Sequence, residues 1–194
     1  MRTLLLAACM ALLVLPGLAD ETSNGKTDTA DIPEAQVFTS DHSLRLGSRT
    51  VKYKTIAGET YLRDEKDEPT AAIFSVSYMD TSSGSAAQRP VTFVFNGGPG
   101  SASLWLHMGA LGPKQVITPS DASDVGAPPY TMRDNPNSLL DVTDLVFIDP
   151  VGTGYSRPLG ETKGKEFYGV NEDAESIAEF IRIWLTEHGR WNSP

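Results

Sequence analysis

The sequence is poor in cysteine and histidine. Its one cysteine, Cys9, lies in the apolar N-terminal segment, and only three of the 194 residues are histidines. A single cysteine forms no intrachain disulfide, so the fold does not depend on a disulfide framework. The acidic residues that could suggest a metal site have no His or Cys at ligand spacing; they are Asp134, Asp141, Asp144 and Asp149. We therefore predict no metal site and no cofactor.

Positive charge is also scarce. The chain has 16 Lys and Arg residues against 25 Asp and Glu, for a formal net charge of −9. A nucleic-acid-binding domain needs a basic face, so this balance argues against a nucleic-acid partner. With 40% hydrophobic and 21% charged residues, the composition is that of an ordinary globular domain with one core.

The sequence has no apolar run of the about 20 residues that a membrane-spanning helix needs. The apolar segment at residues 3–15 follows Arg2 and precedes the small-residue site Gly17-Leu18-Ala19. This pattern predicts a signal peptide at residues 1–19, a secreted or periplasmic protein, and no membrane association after cleavage. The polar residues 20–34 predict a flexible leader, and residues 35–194 the folded domain.

Strand patterns dominate the first half of that domain. Val51, Tyr53 and Thr55 alternate with lysines, and Ala57-Gly58 interrupts the pattern. We predict a hairpin that turns at residues 57–58, then a strand at residues 71–80.

Two apolar runs, residues 91–95 and 144–150, predict strands buried on both faces of a sheet, with a short strand around Val116 between them. Antiparallel strands that lead into a mostly parallel sheet with a covering helix indicate an α/β fold.

Residues 171–189 predict the covering helix, with Asn171 as the N-cap and Gly189 as the end. Acidic residues in its first turn suit the helix dipole. The face predicted to be buried consists of Ala174, Ile177, Ala178, Ile181, Trp184, Leu185 and His188.

Asn96-Gly97-Gly98-Pro99-Gly100 follows the strand at residues 91–95 directly. Ligands bind at the carboxyl ends of strands in open α/β sheets, and glycines let a substrate come close to the backbone. Pro99 favours an extended Gly98, whose N–H, with that of Gly97, can form an oxyanion hole. A structural turn is one alternative. A phosphate-binding loop is another, although its Lys-Ser/Thr pair and its G-x-G-x-x-G spacing are both missing.

Three segments resemble, in order and spacing, the N-terminal third of serine carboxypeptidases of the S10 peptidase family: FVFNGGPGSASLWLHMGALGP, DNPNSLLDVTDLVFIDPVGTGYSRP and the helix that begins NEDAESIAEFI. The resemblance implies an α/β-hydrolase fold, a Ser-Asp-His triad and removal of C-terminal residues from peptides or proteins. It also implies that Asn96, helped by the Gly97 N–H, binds the substrate's terminal carboxylate, and that Gly98 donates to the oxyanion.

The sequence departs from this family at several positions. Ser101 stands where many eukaryotic members have Cys, and Ala110 where a Glu is common, so carboxylate recognition by an acidic pair is not expected. Val94 replaces a common aromatic residue. The signal peptide and the lack of other cysteines suit a bacterial member.

The sequence contains no Gly-x-Ser-x-Gly: Ser101 has Pro99 two residues before it, and Ser156 has Pro158 two residues after it. We therefore expect the triad beyond residue 194 and interpret the chain as a truncated reading frame or fragment. His107 is expected to be packed or capping, and His42 and His188 to lie at the surface or a helix end.

Residues 149–156 predict a loop that is first structural and second a pocket wall. Two alternatives stay open: a catalytically inactive product that at most binds peptide C-termini, and a prolyl aminopeptidase-like hydrolase. The sequence predicts no oligomeric state.

Overall fold

A computed structural model describes residues 32–194 except 83, 85, 98, 99, 122 and 125. The predicted signal peptide at residues 1–19 and all but the last three residues of the predicted leader lie outside the described residues. The same is true of Gly98, which was predicted to donate to the oxyanion.

The described strands form two sheets. The larger one has the order β1-β2-β3-β7-β4, and β8 also pairs with β3. Its strands are β1 (Val37–Leu46), β2 (Arg49–Arg63), β3 (Pro69–Asp80), β4 (Val91–Val94), β7 (Asp144–Ile148) and β8 (Arg157–Pro158). The smaller sheet pairs β5 (Lys114–Val116) with β6 (Met132–Asp134). The predicted strands at residues 71–80, 91–95, around Val116 and at 144–150 are therefore confirmed, whereas β1, β6 and β8 were not predicted.

The described part of the large sheet is mostly antiparallel. Its one parallel pair is β4 with β7, and the other pairs of strands run antiparallel. The prediction of a mostly parallel sheet is therefore wrong for the described residues. The structure combines strands and helices, as predicted for an α/β protein.

The predicted hairpin turn at residues 57–58 is wrong. β2 runs straight through Gly58, which pairs with Val37 of β1. A Cβ at Gly58 would lie 2.4 Å from the Gln36 carbonyl oxygen, so the glycine is required by the close approach of a neighbouring chain segment. The alternation of Val51 and Tyr53 with exposed lysines is confirmed.

Among the described residues, the helices are short apart from the last one. α1 (Leu104–Leu106) continues into a π-helical turn (His107–Leu111), and α2 covers Val170–Glu187. Three single 3₁₀ turns lie at Ala86–Gln88, Leu139–Asp141 and Gly164–Glu166.

The covering helix α2 begins at Val170, one residue before the predicted range. Gly169 is its N-cap, so the prediction for Asn171 is wrong, whereas Gly189 lies just beyond its end with φ +62° as predicted. Ser176, Ile177, Phe180 and Trp184 are buried, while Ala174 and Ala178 of the predicted face are exposed.

β7 lies between two apolar clusters. Leu145 and Phe147 pack with β1, β2 and the α1 segment, and Val146 and Ile148 pack with α2. Successive residues of a strand point to opposite faces, so both faces of β7 are buried, as predicted. Most of β4 is only half-buried, so the same prediction does not hold there.

A buried ionic cluster lies at the amino end of β7. The Asp144 carboxylate accepts hydrogen bonds from Arg190 at 2.6 Å and from Arg89 at 2.8 Å. Arg89 and Arg49 each lie 3.5 Å from the Asp80 carboxylate. Burial of an unpaired charge costs free energy. Here the buried carboxylates of Asp144 and Asp80 are each paired with arginine side chains, which offset that cost.

Candidate active site

Two chain segments meet at the carboxyl ends of the parallel strands. Val94 of β4 pairs with Phe147 of β7, so residues 95–97 and 149–153 leave the sheet at the same edge. Ligands bind at this edge in open α/β sheets because loops diverge there and leave a crevice. The glycine turn therefore lies beside the loop that follows β7.

The side-chain amide of Asn96 is engaged within the turn. Its Nδ2 donates to Ser101 Oγ at 2.7 Å and to the Gly97 carbonyl oxygen at 3.1 Å. These two bonds use both amide hydrogens. A ligand that accepts a hydrogen bond from Asn96 must displace one acceptor, and the contact with Gly97 is the longer and more exposed of the two.

Gly97 faces open space. Its backbone is exposed, its N–H has no partner among the described residues, and a Cβ there would meet no described atom within 4 Å. Its φ is not positive, in contrast to Gly100 with φ +90°. A glycine at position 97 is thus not required by strain or by a contact in the described protein. The lack of a side chain at Gly97 leaves the space next to its backbone open.

Gly98 and Pro99 are outside the described residues. The oxyanion role of the Gly98 N–H stays a prediction.

The turn forms one wall of a cleft of about 590 Å³. The other walls are the loop after β7 and the chain before and within the first turn of α2. The described lining consists of Asn96, Gly97, Gly100, Ser101, Pro150, Val151, Gly152, Thr153, Phe167, Tyr168, Gly169, Val170 and Asp173. It contains one carboxylate, that of Asp173, and no Lys, Arg or His.

Sequence analysis missed the third wall, at residues 167–173. Tyr168 lies where two glycines make room for it, because a Cβ would lie 2.5 Å from its Oη at Gly152 and 2.7 Å at Gly164. The signal was these two glycines, which are distant from each other in sequence. No local pattern identifies such a pair.

Asp149 fixes the loop after β7 against α1. Its Oδ1 accepts a hydrogen bond from the Ser103 N–H at 2.9 Å. Gly154 lies so close that a Cβ there would be 1.9 Å from Oδ2. Burial raises the pKa of Asp149, and the N–H groups of Ser103 and Tyr155 oppose this rise.

Ser156 is a structural residue. Its buried Oγ accepts from the Phe74 N–H at 2.8 Å and donates to the Asp149 carbonyl oxygen at 2.6 Å. Both partners are backbone groups, so the hydroxyl links the loop after β7 to β3. The predicted structural role of residues 149–156 is confirmed, and residues 150–153 also form a cleft wall as predicted.

His107 is packed, as expected. Its Nε2 lies 2.6 Å from Tyr78 Oη, and its ring stacks on Phe147 at 4.4 Å between centroids. Burial lowers the pKa of His107 to about 4 and raises that of Tyr78. His42 lies exposed on β1 and His188 is the C-cap of α2, which confirms both expectations.

Within the ranges given above, no group of three or more His, Cys, Asp or Glu side chains could hold a metal ion. In that same part of the chain, no helix has the length and apolar character to cross a membrane.

Comparison with protein families gives the family of this chain. The family model described as serine carboxypeptidase matches residues 49–193. The chain belongs to the serine carboxypeptidase family. This serine carboxypeptidase match includes the glycine turn, the loop after β7 and α2.

Curated relatives are similar to parts of this chain. "Serine carboxypeptidase-like 36" of Arabidopsis thaliana is 35% identical over 96 residues, which are 50% of this chain and 18% of that protein. "Pheromone-processing carboxypeptidase KEX1" of Saccharomyces cerevisiae strain S288c is 28% identical over 127 residues, which are 64% of this chain and 16% of that protein. The match spans less than a fifth of the length of these relatives.

Ala110 has a backbone role here. Its carbonyl oxygen accepts from the buried Asn135 Nδ2 at 2.7 Å. Ala110 is not among the described residues that line the cleft. The position at which the resemblance implies a Glu thus carries an exposed methyl group outside the described cleft lining.

Proposed function

We propose that these residues form part of a serine-type carboxypeptidase that releases C-terminal residues from peptides through an acyl-enzyme. In this proposal Asn96 and the Gly97 N–H bind the terminal carboxylate, and the Gly98 N–H donates to the oxyanion. The fold is that of an α/β-hydrolase, with residues 35–194 as the N-terminal part of its domain. The sequence has no Gly-x-Ser-x-Gly, so the nucleophile is proposed to lie outside these residues.

The observation that carries the proposal is the open space at Gly97, beside the amide of Asn96. A carboxylate accepts strong hydrogen bonds from amide and backbone N–H groups. The described cleft lining offers such neutral donors and no cation. A C-terminal amide would turn its own N–H groups towards these donors, so the site should prefer the free acid.

The proposed carboxylate-binding residues and the proposed oxyanion donor are consecutive in the sequence. In this proposal the carboxylate is bound at Asn96 and Gly97, and the peptide bond before the terminal residue is attacked beside Gly98, the next residue in the sequence. An oxyanion donor stabilises the charge that develops on the carbonyl oxygen, and the loss of one such donor costs about 10²–10³ in rate. One short turn would thus combine recognition of the chain end with stabilisation of the transition state.

The test compares two substrates that differ only at the chain end. The protein is expressed from its complete coding sequence and given an N-blocked dipeptide as the free acid and as the C-terminal amide. We expect kcat/KM to be at least about 10-fold higher for the acid, because hydrogen bonds to charged groups are strong. Asn96→Ala should lower kcat/KM for the acid by about 10- to 100-fold and change that for the amide little.

Asn137→Ala is the matched control. Asn137 is exposed and lies outside the cleft lining, so this variant should keep the preference of the wild type. Equal hydrolysis of acid and amide by the wild type would overturn the proposal, as would a lack of hydrolysis of both. A requirement for a free N-terminus would favour the prolyl aminopeptidase-like alternative.

We also propose that residues 1–19 direct export, with cleavage after Ala19. The mass of the exported protein tests this directly. A mature N-terminus at Asp20 is expected, and an uncleaved Met1 in the exported protein would contradict it.

A further inference from the structure

The orientation of the Asn96 amide follows from its neighbours. The Gly97 carbonyl oxygen is only an acceptor, so the side-chain atom 3.1 Å from it must be the nitrogen. The second amide hydrogen then goes to Ser101 Oγ at 2.7 Å. Ser101 is therefore the acceptor in this pair, and its own hydroxyl hydrogen is not used by Asn96.

The hydroxyl of Ser101 can donate into the cleft. Ser101 lines the cleft beside Asn96 and Gly97. Its O–H has no acceptor among the described residues. A hydroxyl that accepts one hydrogen bond can rotate to donate another, and an amide that donates to it makes it a better donor.

The described cleft lining has few other groups that could bind an anion. The described lining has no cation, and its one carboxylate, Asp173, repels negative charge. A desolvated carboxylate has several lone pairs to satisfy. Asn96 and the Gly97 N–H satisfy two of them, and the Ser101 hydroxyl is a further neutral donor in the described cleft lining.

We propose that Ser101 determines specificity for the free C-terminus: its hydroxyl holds the Asn96 amide in place and donates to the terminal carboxylate of the peptide. This inference rests on the proposed function. On binding, Asn96 keeps its bond to Ser101 and turns its other N–H from the Gly97 carbonyl to the carboxylate. The bond that is given up is the longer and more exposed one.

The experiment measures the ratio of kcat/KM for free-acid and amide dipeptides in the protein from the complete coding sequence. Ser101→Ala should lower kcat/KM for the acid by about 10- to 100-fold, mainly through KM, and leave the amide within about 3-fold. Ser101→Thr keeps the hydroxyl and should retain most of the preference. Ser101→Cys keeps the size with a weaker donor and should give an intermediate ratio, which provides a second reading if Ser101→Ala folds poorly.

Thr153→Val is the matched control in the same cleft. Its hydroxyl already donates to the Pro150 carbonyl oxygen at 2.8 Å, so its removal should not change the ratio. A merely structural Ser101 would lower the rates for acid and amide equally, and this result would overturn the inference.

The inference and the proposed function fail in different ways. If the wild type does not distinguish acid from amide, the proposed function is wrong. If the wild type and Asn96→Ala behave as proposed but Ser101→Ala keeps the wild-type ratio, only the role of Ser101 is wrong.

Discussion

Asp144→Asn removes the negative charge that lies between Arg89 and Arg190 at the start of β7. The carboxylate accepts from Arg190 at 2.6 Å, from Arg89 at 2.8 Å and from the Asp80 N–H at 2.9 Å. The side chains of Asp144 and Arg190 are each 1% exposed. The variant leaves a buried cation without its partner, so we expect the free energy of unfolding to fall by about 3–5 kcal/mol.

Urea unfolding of the protein from its complete coding sequence measures this loss. Arg190→Met in the same chain removes the unpaired cation, so the double variant should lose less than the sum of the two single variants. Glu179→Gln is the control, because it breaks an exposed ion pair with Arg182 on α2 and should change stability little. A loss for Asp144→Asn no larger than that of the control would refute the reasoning.

Three further predictions concern the loop, the buried histidine and the turn. Gly154→Ala should destabilise the protein by about 2 kcal/mol or more, measured by thermal unfolding, because Gly154 has φ +51° and a Cβ would overlap Asp149 Oδ2. The folded-state pKa of His107 is lowered to about 4, so between about pH 6.5 and pH 4 only the unfolded chain binds the proton. Stability should therefore fall as pH drops through this window, by up to about 1.4 kcal/mol per unit, and His107→Gln should reduce that slope; equal slopes would contradict it. Gly97→Ala should leave the unfolding midpoint nearly unchanged and lower kcat/KM for the free acid, whereas a large loss of stability would show that the glycine is structural.

The elements with a strong local pattern were predictable from the sequence. β7 is a continuous apolar run, and β2 starts with a clear alternation. The errors arose where the surroundings of a residue are set by a distant part of the chain. Gly58 looked like a turn because the approach of Gln36 is invisible in the sequence. Ala174 and Ala178 were placed on the buried face of α2 by periodicity, but the sheet packs against the face centred on Phe180.

One part of the candidate site, the glycine turn, was predictable from a local sequence pattern. The glycine turn is contiguous and follows a strand, so its place at the sheet edge follows from local rules. The wall at residues 167–173 was not predictable, because the room for Tyr168 comes from glycines at 152 and 164. The bond between Asn96 and Ser101 needed the geometry of the turn, although both residues were already singled out.

A crystal structure of the protein with a bound peptide product that has a free C-terminus tests the central claim most directly. The account predicts a carboxylate oxygen within about 3.2 Å of Asn96 Nδ2, and hydrogen bonds from the Gly97 N–H and the Ser101 hydroxyl. A chain end bound elsewhere, with the Asn96 amide still on the Gly97 carbonyl, would contradict it.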